Sequence, residues 1–195
     1  ELNTSSLHWR KVQDIKGQRP PPRANHSSSI IKDNLYIFGG WDGSKRLNDL
    51  FVFQITSFNW SQVSVVGESP APRAGMELCN VNDKLYLFGG SGPHAYCFND
   101  LYTFDPITSS WEHCNNILDA ENNPNPNARA GHSMTLVDCK LYIIGGSYGA
   151  GVDNTFPNPS FSNVENEGTL DVEGWILSGA QARTTEPQVG ISERV

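Results

Sequence analysis

The chain has 195 residues, of which 37% are apolar and 18 more are glycine, with 14 Lys and Arg against 21 Asp and Glu for a net charge of −7. This composition excludes a wholly disordered chain, and the acidic balance argues against gripping nucleic acid through its phosphates. No apolar run approaches the roughly 18 residues of a membrane helix, and the segment after Glu1 lacks a basic stretch leading into an apolar one, so no membrane partner and a cytoplasmic setting are expected.

The first predicted element is a lone strand at Trp9, in a lead and linker segment of residues 1–23. A four-stranded unit is predicted over 24–66. Its strand a covers 26–31, and a Lys-Asp-Asn turn follows. Strand b is the LYIFGG run at 35–40, strand c opens with NDL at 48–50, and strand d opens at Trp60. Strand b is apolar on successive residues, which fits a strand covered on both faces. The same order returns over 74–118, with LYLFGG at 85–90, NDL at 99–101 and Trp111. Over 129–146 only strands a and b return, ending in LYIIGG.

These units are an internal repeat, the strongest signal in the sequence. Residues 23–40, 73–90 and 129–146 align without a gap. Arg23, Arg73 and Arg129 coincide. So do the glycine pairs Gly39–Gly40, Gly89–Gly90 and Gly145–Gly146. Residues 48–60 align with 99–111, which superposes Asp49 on Asp100 and Trp60 on Trp111, with Trp9 as a third copy of the tryptophan. A sheet of this size cannot bury both faces alone. Stacking copies around an axis solves the problem and makes a β-propeller.

The glycine pair closing strand b, the NDL start of strand c, the Trp of strand d and the PPPR and PAPR lead-ins at 20–23 and 70–73 resemble the kelch repeat. The resemblance covers about residues 7–146. It implies an all-β fold, here an incomplete kelch-type propeller. The expected parts are a lone strand d, two full four-stranded blades and half of a third. It also implies a protein-interaction scaffold, though a few members of the family are enzymes. After Gly146 the pattern fails. Asn154 stands where NDL is due but Thr155 follows it, Pro157 and Pro159 come next, and Trp175 falls nine residues late. Residues 147–195 carry 7 acidic and 2 basic side chains among many polar ones. We expect a degenerate blade or a poorly ordered tail there, and so a fragment, a splice isoform or a faulty gene model.

The recurring residues have structural roles in this reading. The arginines fix loops, with Asp49 or Asp100 as acceptor, rather than form a ring around an acidic ligand. The tryptophans anchor blades, and the glycines allow positive φ or close approach. Trp41 does not recur, and it opens the b–c loop at 41–47 beside Lys45 and Arg46. The next b–c loop, 91–98, offers His94 and Tyr96. A non-repeating aromatic beside cations fits a recognition hot spot. The b–c and d–a loops share one face, the candidate binding surface.

Little points to catalysis, a metal or a cofactor, and none is expected. Cys79, Cys97, Cys114 and Cys139 form no CxxC pair. They read as small hydrophobes or surface thiols in a reducing compartment. His26 and His132 share a repeat position with Met76, which suits packing. An ExxxDxxxH iron pattern, known in some kelch-like plant proteins, is approached only by Glu167, Asp171 and Trp175, without the histidine. Sequons at Asn3, Asn25 and Asn59 would matter only in a secreted protein, a minor alternative. The expected function is a module or scaffold that binds a protein or peptide. Self-association through open blade edges is expected too. The alternatives are a piece of a kelch-like metalloenzyme (an oxidase or a specifier-like protein) and a non-functional truncated isoform.

Overall fold

The computed structural model describes residues 1–114 and 126–147, together with the backbone of Gly174–Ser178. Nearly all of the regular structure is β. Among the described residues the one helical element is a 3-10 turn at Pro93–Ala95.

Strands β1 (Leu2–Asn3) and β2 (His8–Trp9) pair as a short antiparallel hairpin, so the strand at Trp9 is not alone. Strand β3 (Lys16–Gly17) follows, then the first blade: β4 (Ser27–Ile31), β5 (Asn34–Trp41), β6 (Arg46–Gln54) and β7 (Asn59–Gln62). The second blade is β8 (Glu77–Val81), β9 (Lys84–Phe88), β10 (Leu101–Asp105) and β11 (Ser110–His113). The third contains β12 (Ala130–Val137) and β13 (Lys140–Ser147). Each blade is an up-and-down meander with strands in chain order.

Two additions to the expected blades stand out. β3 joins the first sheet as a fifth strand, parallel to β7, with Lys16 opposite Asn59 and Gly17 opposite Trp60. The second blade repeats this as a bridge from Val66 to Ser110. In these two blades the segment leading in thus lies along the blade's outer edge and blunts it. In addition, β14 (Gly174–Ser178) pairs antiparallel with β13, with Trp175 opposite Ile143. Among the described residues the third sheet therefore shows three strands, and the third takes the place of strand c. The rest of the expected degenerate tail, with Asn154, Pro157, Glu167 and Asp171, lies outside the described residues.

Turn chemistry repeats with the sequence. The a–b turns carry positive φ at Lys32, at Asn82 and Asp83, and at Asp138 and Cys139. Two-residue hairpins favour this twist. The residue two before each tryptophan, Leu7, Phe58 and Ser109, has φ of 56°, 51° and 53°. The glycine pairs have a stricter need. Gly89 sits at φ +65°, and a Cβ there would lie 2.6 Å from the Arg129 carbonyl oxygen. No side chain fits that approach.

The core lies between blades. Ile31, Tyr36, Phe38 and Leu50 of the first blade pack on Met76, Leu78, Leu85, Leu87, Phe104 and Trp111 of the second. Val81, Phe88 and Leu101 of the second pack on Met134, Leu141 and Ile143 of the third. The sheets therefore stack face to face, as successive blades of an incomplete propeller.

Candidate functional site

The face that gathers the b–c loops rests on a buried ionic frame. Arg73 is fully buried. Its Nη1 donates to Asp100 Oδ1 at 2.5 Å and to the Gly89 carbonyl at 3.0 Å. Its Nη2 donates to Asp100 Oδ2 at 2.9 Å, and its Nε to the Ala71 carbonyl at 3.0 Å. Arg23 repeats the pattern with Asp49 at 2.6 and 3.0 Å and with the Gly39 carbonyl at 3.0 Å. Arg129 donates to the carbonyls of Gly145 at 2.9 Å and Asn127 at 3.1 Å. Two planar forks meet two carboxylates edge to edge, a strong and direction-specific pairing.

The backbone of each lead arginine also staples neighbouring blades. Arg73 N donates to the Leu47 carbonyl at 3.0 Å, and the Arg73 carbonyl accepts from Gly40 N at 2.9 Å. Arg129 makes the same pair of bonds with Phe98 and Gly90, at 3.1 and 2.8 Å. The repeated geometry of the glycine pair and the arginine is thus one joint. The arginine backbone closes it from the next blade, and the side chain braces its own.

The loops stand on this frame. In the first, the Asp42 carboxylate accepts from Ser44 N and Lys45 N at 2.8 Å each and from Ser44 Oγ at 2.9 Å. Those donors, that of Lys45 foremost, hold the Asp42 carboxyl below its ordinary range. Trp41 is half-buried and pairs with the Ala24 backbone. The Arg46 guanidinium lies 5.7 Å from the Trp41 ring centroid, and its Nη2 reaches Ser91 Oγ of the next blade at 3.4 Å. Lys45 is exposed.

In the second loop His94 is exposed at the 3-10 turn, with φ of 60°. Tyr96 is 42% exposed and meets Phe98 edge-on, with ring centroids 5.1 Å apart. Phe98 in turn lies 4.0 Å from the Arg73 guanidinium. The exposed Tyr96 is thereby tied to the buried frame through one ring. Sequence reasoning missed Asp42, Ser91 and Phe98. Phe98 had a legible signal, since it stands at the repeat position of Leu47 and is aromatic. The d–a segments are only partly free loop, because Lys16, Gly17 and Val66 are engaged in edge pairing. Most of the longest one, 115–125, lies outside the described residues.

Of the repeated tryptophans, Trp111 is buried and packs edge-on against Phe38 at 5.2 Å. Trp60 is half-buried on Phe53, 4.8 Å away, and Trp9 is 78% exposed. Cys79, Cys97 and Cys114 are half-buried, Cys139 is exposed, and no disulfide joins them. Among the described residues no three His, Cys, Asp or Glu side chains cluster as a metal set.

His132 is the one buried imidazole. It is 4% exposed, packs edge-on against Phe88 at 5.5 Å, and neither ring nitrogen has a hydrogen-bond partner. Burial first and the Arg129 charge second push its pKa down to about 4; the nearby Phe88 carbonyl pulls weakly the other way. Since the folded value lies below the unfolded one near 6.5, the folded state holds fewer protons between them. Stability from this group is therefore flat above about pH 6.5, falls as pH drops toward 4, and is about 3 kcal/mol lower below that. His132→Met, which installs the residue found at the equivalent Met76, should remove this part of the acid loss. Urea midpoints from pH 7 to 4 test it, and parallel curves for the two proteins would refute it.

A model of the KLHDC2/KLHL20/DRC7 Kelch-repeats domain matches residues 1–155. An N-(sulfonatooxy)prop-2-enimidothioate sulfolyase from Thlaspi arvense is 35% identical over 149 residues, 75% of this chain and 42% of the relative. The Leucine-zipper-like transcriptional regulator 1 homolog of Drosophila melanogaster is 31% identical over 81% of this chain and 16% of its own. The Tip elongation aberrant protein 1 of Schizosaccharomyces pombe is 41% identical over 79% of this chain and 13% of its own. The chain thus spans less than half the length of each of these relatives.

Proposed function

Because the chain belongs to the kelch-repeat family, we propose that it is a protein-interaction module whose two b–c loops read a protein or peptide partner. The observation that supports this reading is a set of loop residues, exposed at Lys45, His94 and Tyr96 and half-buried at Trp41 and Arg46, on a rigid base. Trp41, Lys45 and Arg46 stand on the first blade, His94 and Tyr96 on the second, and the Arg46–Ser91 bond joins the two loops. An aromatic held in place beforehand loses little entropy on binding, which is what a hot spot requires. The partner should first be identified by cross-linking to the intact chain, and its affinity then measured against Trp41→Ala and Tyr96→Ala. A loss of about tenfold or more in each, with melting unchanged, is expected. Equal affinity for wild type and both variants would move the site elsewhere.

A second reading is favoured by the 35% identity to the sulfolyase: the chain would form part of an enzyme of that kind. Incubation with the N-(sulfonatooxy)prop-2-enimidothioate in the relative's name, followed by mass spectrometry, tests it. Consumption above the rate in buffer would support this reading, and no consumption would leave the binding module.

A further inference from the structure

Asp42–Gly43 is the one Asp-Gly or Asn-Gly step in the 195 residues. At such a step a peptide chain can attack itself, because the glycine carries no side chain to hinder the approach of its nitrogen to the aspartate carboxyl. The fold leaves that approach open. Gly43 has φ of +101°, and a Cβ built there would meet nothing within 4 Å. Residues 42–45 are all exposed, so water reaches the step. The second b–c loop has no counterpart, since Gly92 and Pro93 stand at these positions of the repeat.

The hydrogen bonds of Asp42 oppose the reaction. Its Oδ1 accepts from Ser44 N and Lys45 N at 2.8 Å and from Ser44 Oγ at 2.9 Å. Attack needs an uncharged carboxyl, because a carboxylate is a poor electrophile. The three donors favour the charged form and keep the group turned toward residues 44 and 45. Asp105 makes the contrast. It accepts from Ile107 N at 2.8 Å in the same manner, but Pro106 follows it and has no N–H to give up.

We propose that Asp42–Gly43 is a self-modification site in the first b–c loop, where aspartate converts to isoaspartate through a succinimide at a rate set by the Ser44 cap. The Gly43 nitrogen bonds to Asp42 Cγ and loses its proton, and one carboxyl oxygen leaves as water. Water then adds to the ring. Addition at Cγ restores aspartate, and addition at the α-carbonyl gives isoaspartate. One water leaves and one returns, so the mass is unchanged. In the isoaspartyl form the main chain runs through Cβ and Cγ and is one atom longer. Trp41 and Arg46 face each other across this turn, and Asp42 N donates to the Lys45 carbonyl at 3.2 Å. The longer turn breaks that bond and shifts Trp41 against Arg46. Any loss of partner binding rests on the reading of this loop given above, whereas the chemistry does not.

The intact chain is aged at neutral pH in oxygen-labelled water and digested, and electron-transfer fragmentation tells isoaspartyl from aspartyl peptides. The peptide holding residue 42 should gain both solvent oxygen and isoaspartate, and the one holding Asp105 neither. Ser44→Ala removes one hydrogen bond from the carboxylate and should gain isoaspartate about tenfold faster, with its circular dichroism unchanged. Partner affinity before and after ageing reports separately on the loop, since equal affinity would move the binding surface and leave the chemistry standing. Equal rates for wild type and Ser44→Ala overturn the proposal. So does the absence of isoaspartate at residue 42 from both.

Discussion

Asp100→Ala is expected to lower stability by about 3–5 kcal/mol, because it leaves the Arg73 guanidinium buried without its counter-charge. Arg73 has no solvent exposure, and Asp100 accepts from both of its terminal nitrogens. Two carbonyls and the face of Phe98 stay in contact with the cation. They cannot replace a carboxylate, since they carry only partial charge. Removing both partners is a different matter. The double replacement Arg73→Met with Asp100→Leu takes away the charge together with its desolvation cost, and it should recover much of the loss. Urea denaturation of the single and double variants checks both. A loss below about 1 kcal/mol for Asp100→Ala would show that water reaches the arginine.

The second large effect separates two residues that the repeat makes equivalent. Trp111→Ala should cost about 3–5 kcal/mol, as a large ring removed from a closed core does. Trp111 touches Phe38 across the blade junction and Phe104 within its own blade, at 5.2 and 5.1 Å. Trp60→Ala should cost only about 1 kcal/mol in the monomer, since the ring lies on Phe53 and is half-open on its other side. Denaturant midpoints at a concentration too low for association decide it. Equal losses would mean that Trp60 is covered as Trp111 is.

That contrast also shows what was legible beforehand. The repeat placed the arginines, glycines, aspartates and tryptophans because each recurs with its surroundings, and the strands formed where apolar runs and turn residues alternate. Depth of burial was not legible from the same pattern. Burial belongs to the neighbouring blade, and Trp9, Trp60 and Trp111 have different neighbours despite matching sequence. The edge strand at Lys16–Gly17 was hidden for a related reason. It is a parallel pairing of two residues, too short to show a period of its own. β14 escaped because it lies far from the position that the NDL spacing predicts. In the candidate site, Trp41 and Tyr96 could be found as departures from the repeat. Ser91 could not, because its role depends on Arg46 reaching across a blade boundary.

The straps on the outer edges bear on how the chain assembles as it is synthesised. Lys16 and Gly17 find their partners only when Asn59 and Trp60 have been made, about forty residues later, and Val66 waits in the same way for Ser110. Each strap therefore emerges before the strand it will seal, and is already at hand when that strand appears. The outermost strand of a blade is also the last made, so it is the one whose free edge would be most dangerous to a nascent chain among its neighbours. Placing the seal upstream keeps that interval short. A blade becomes closed at its rim as soon as its fourth strand folds, without waiting for the blade that comes next.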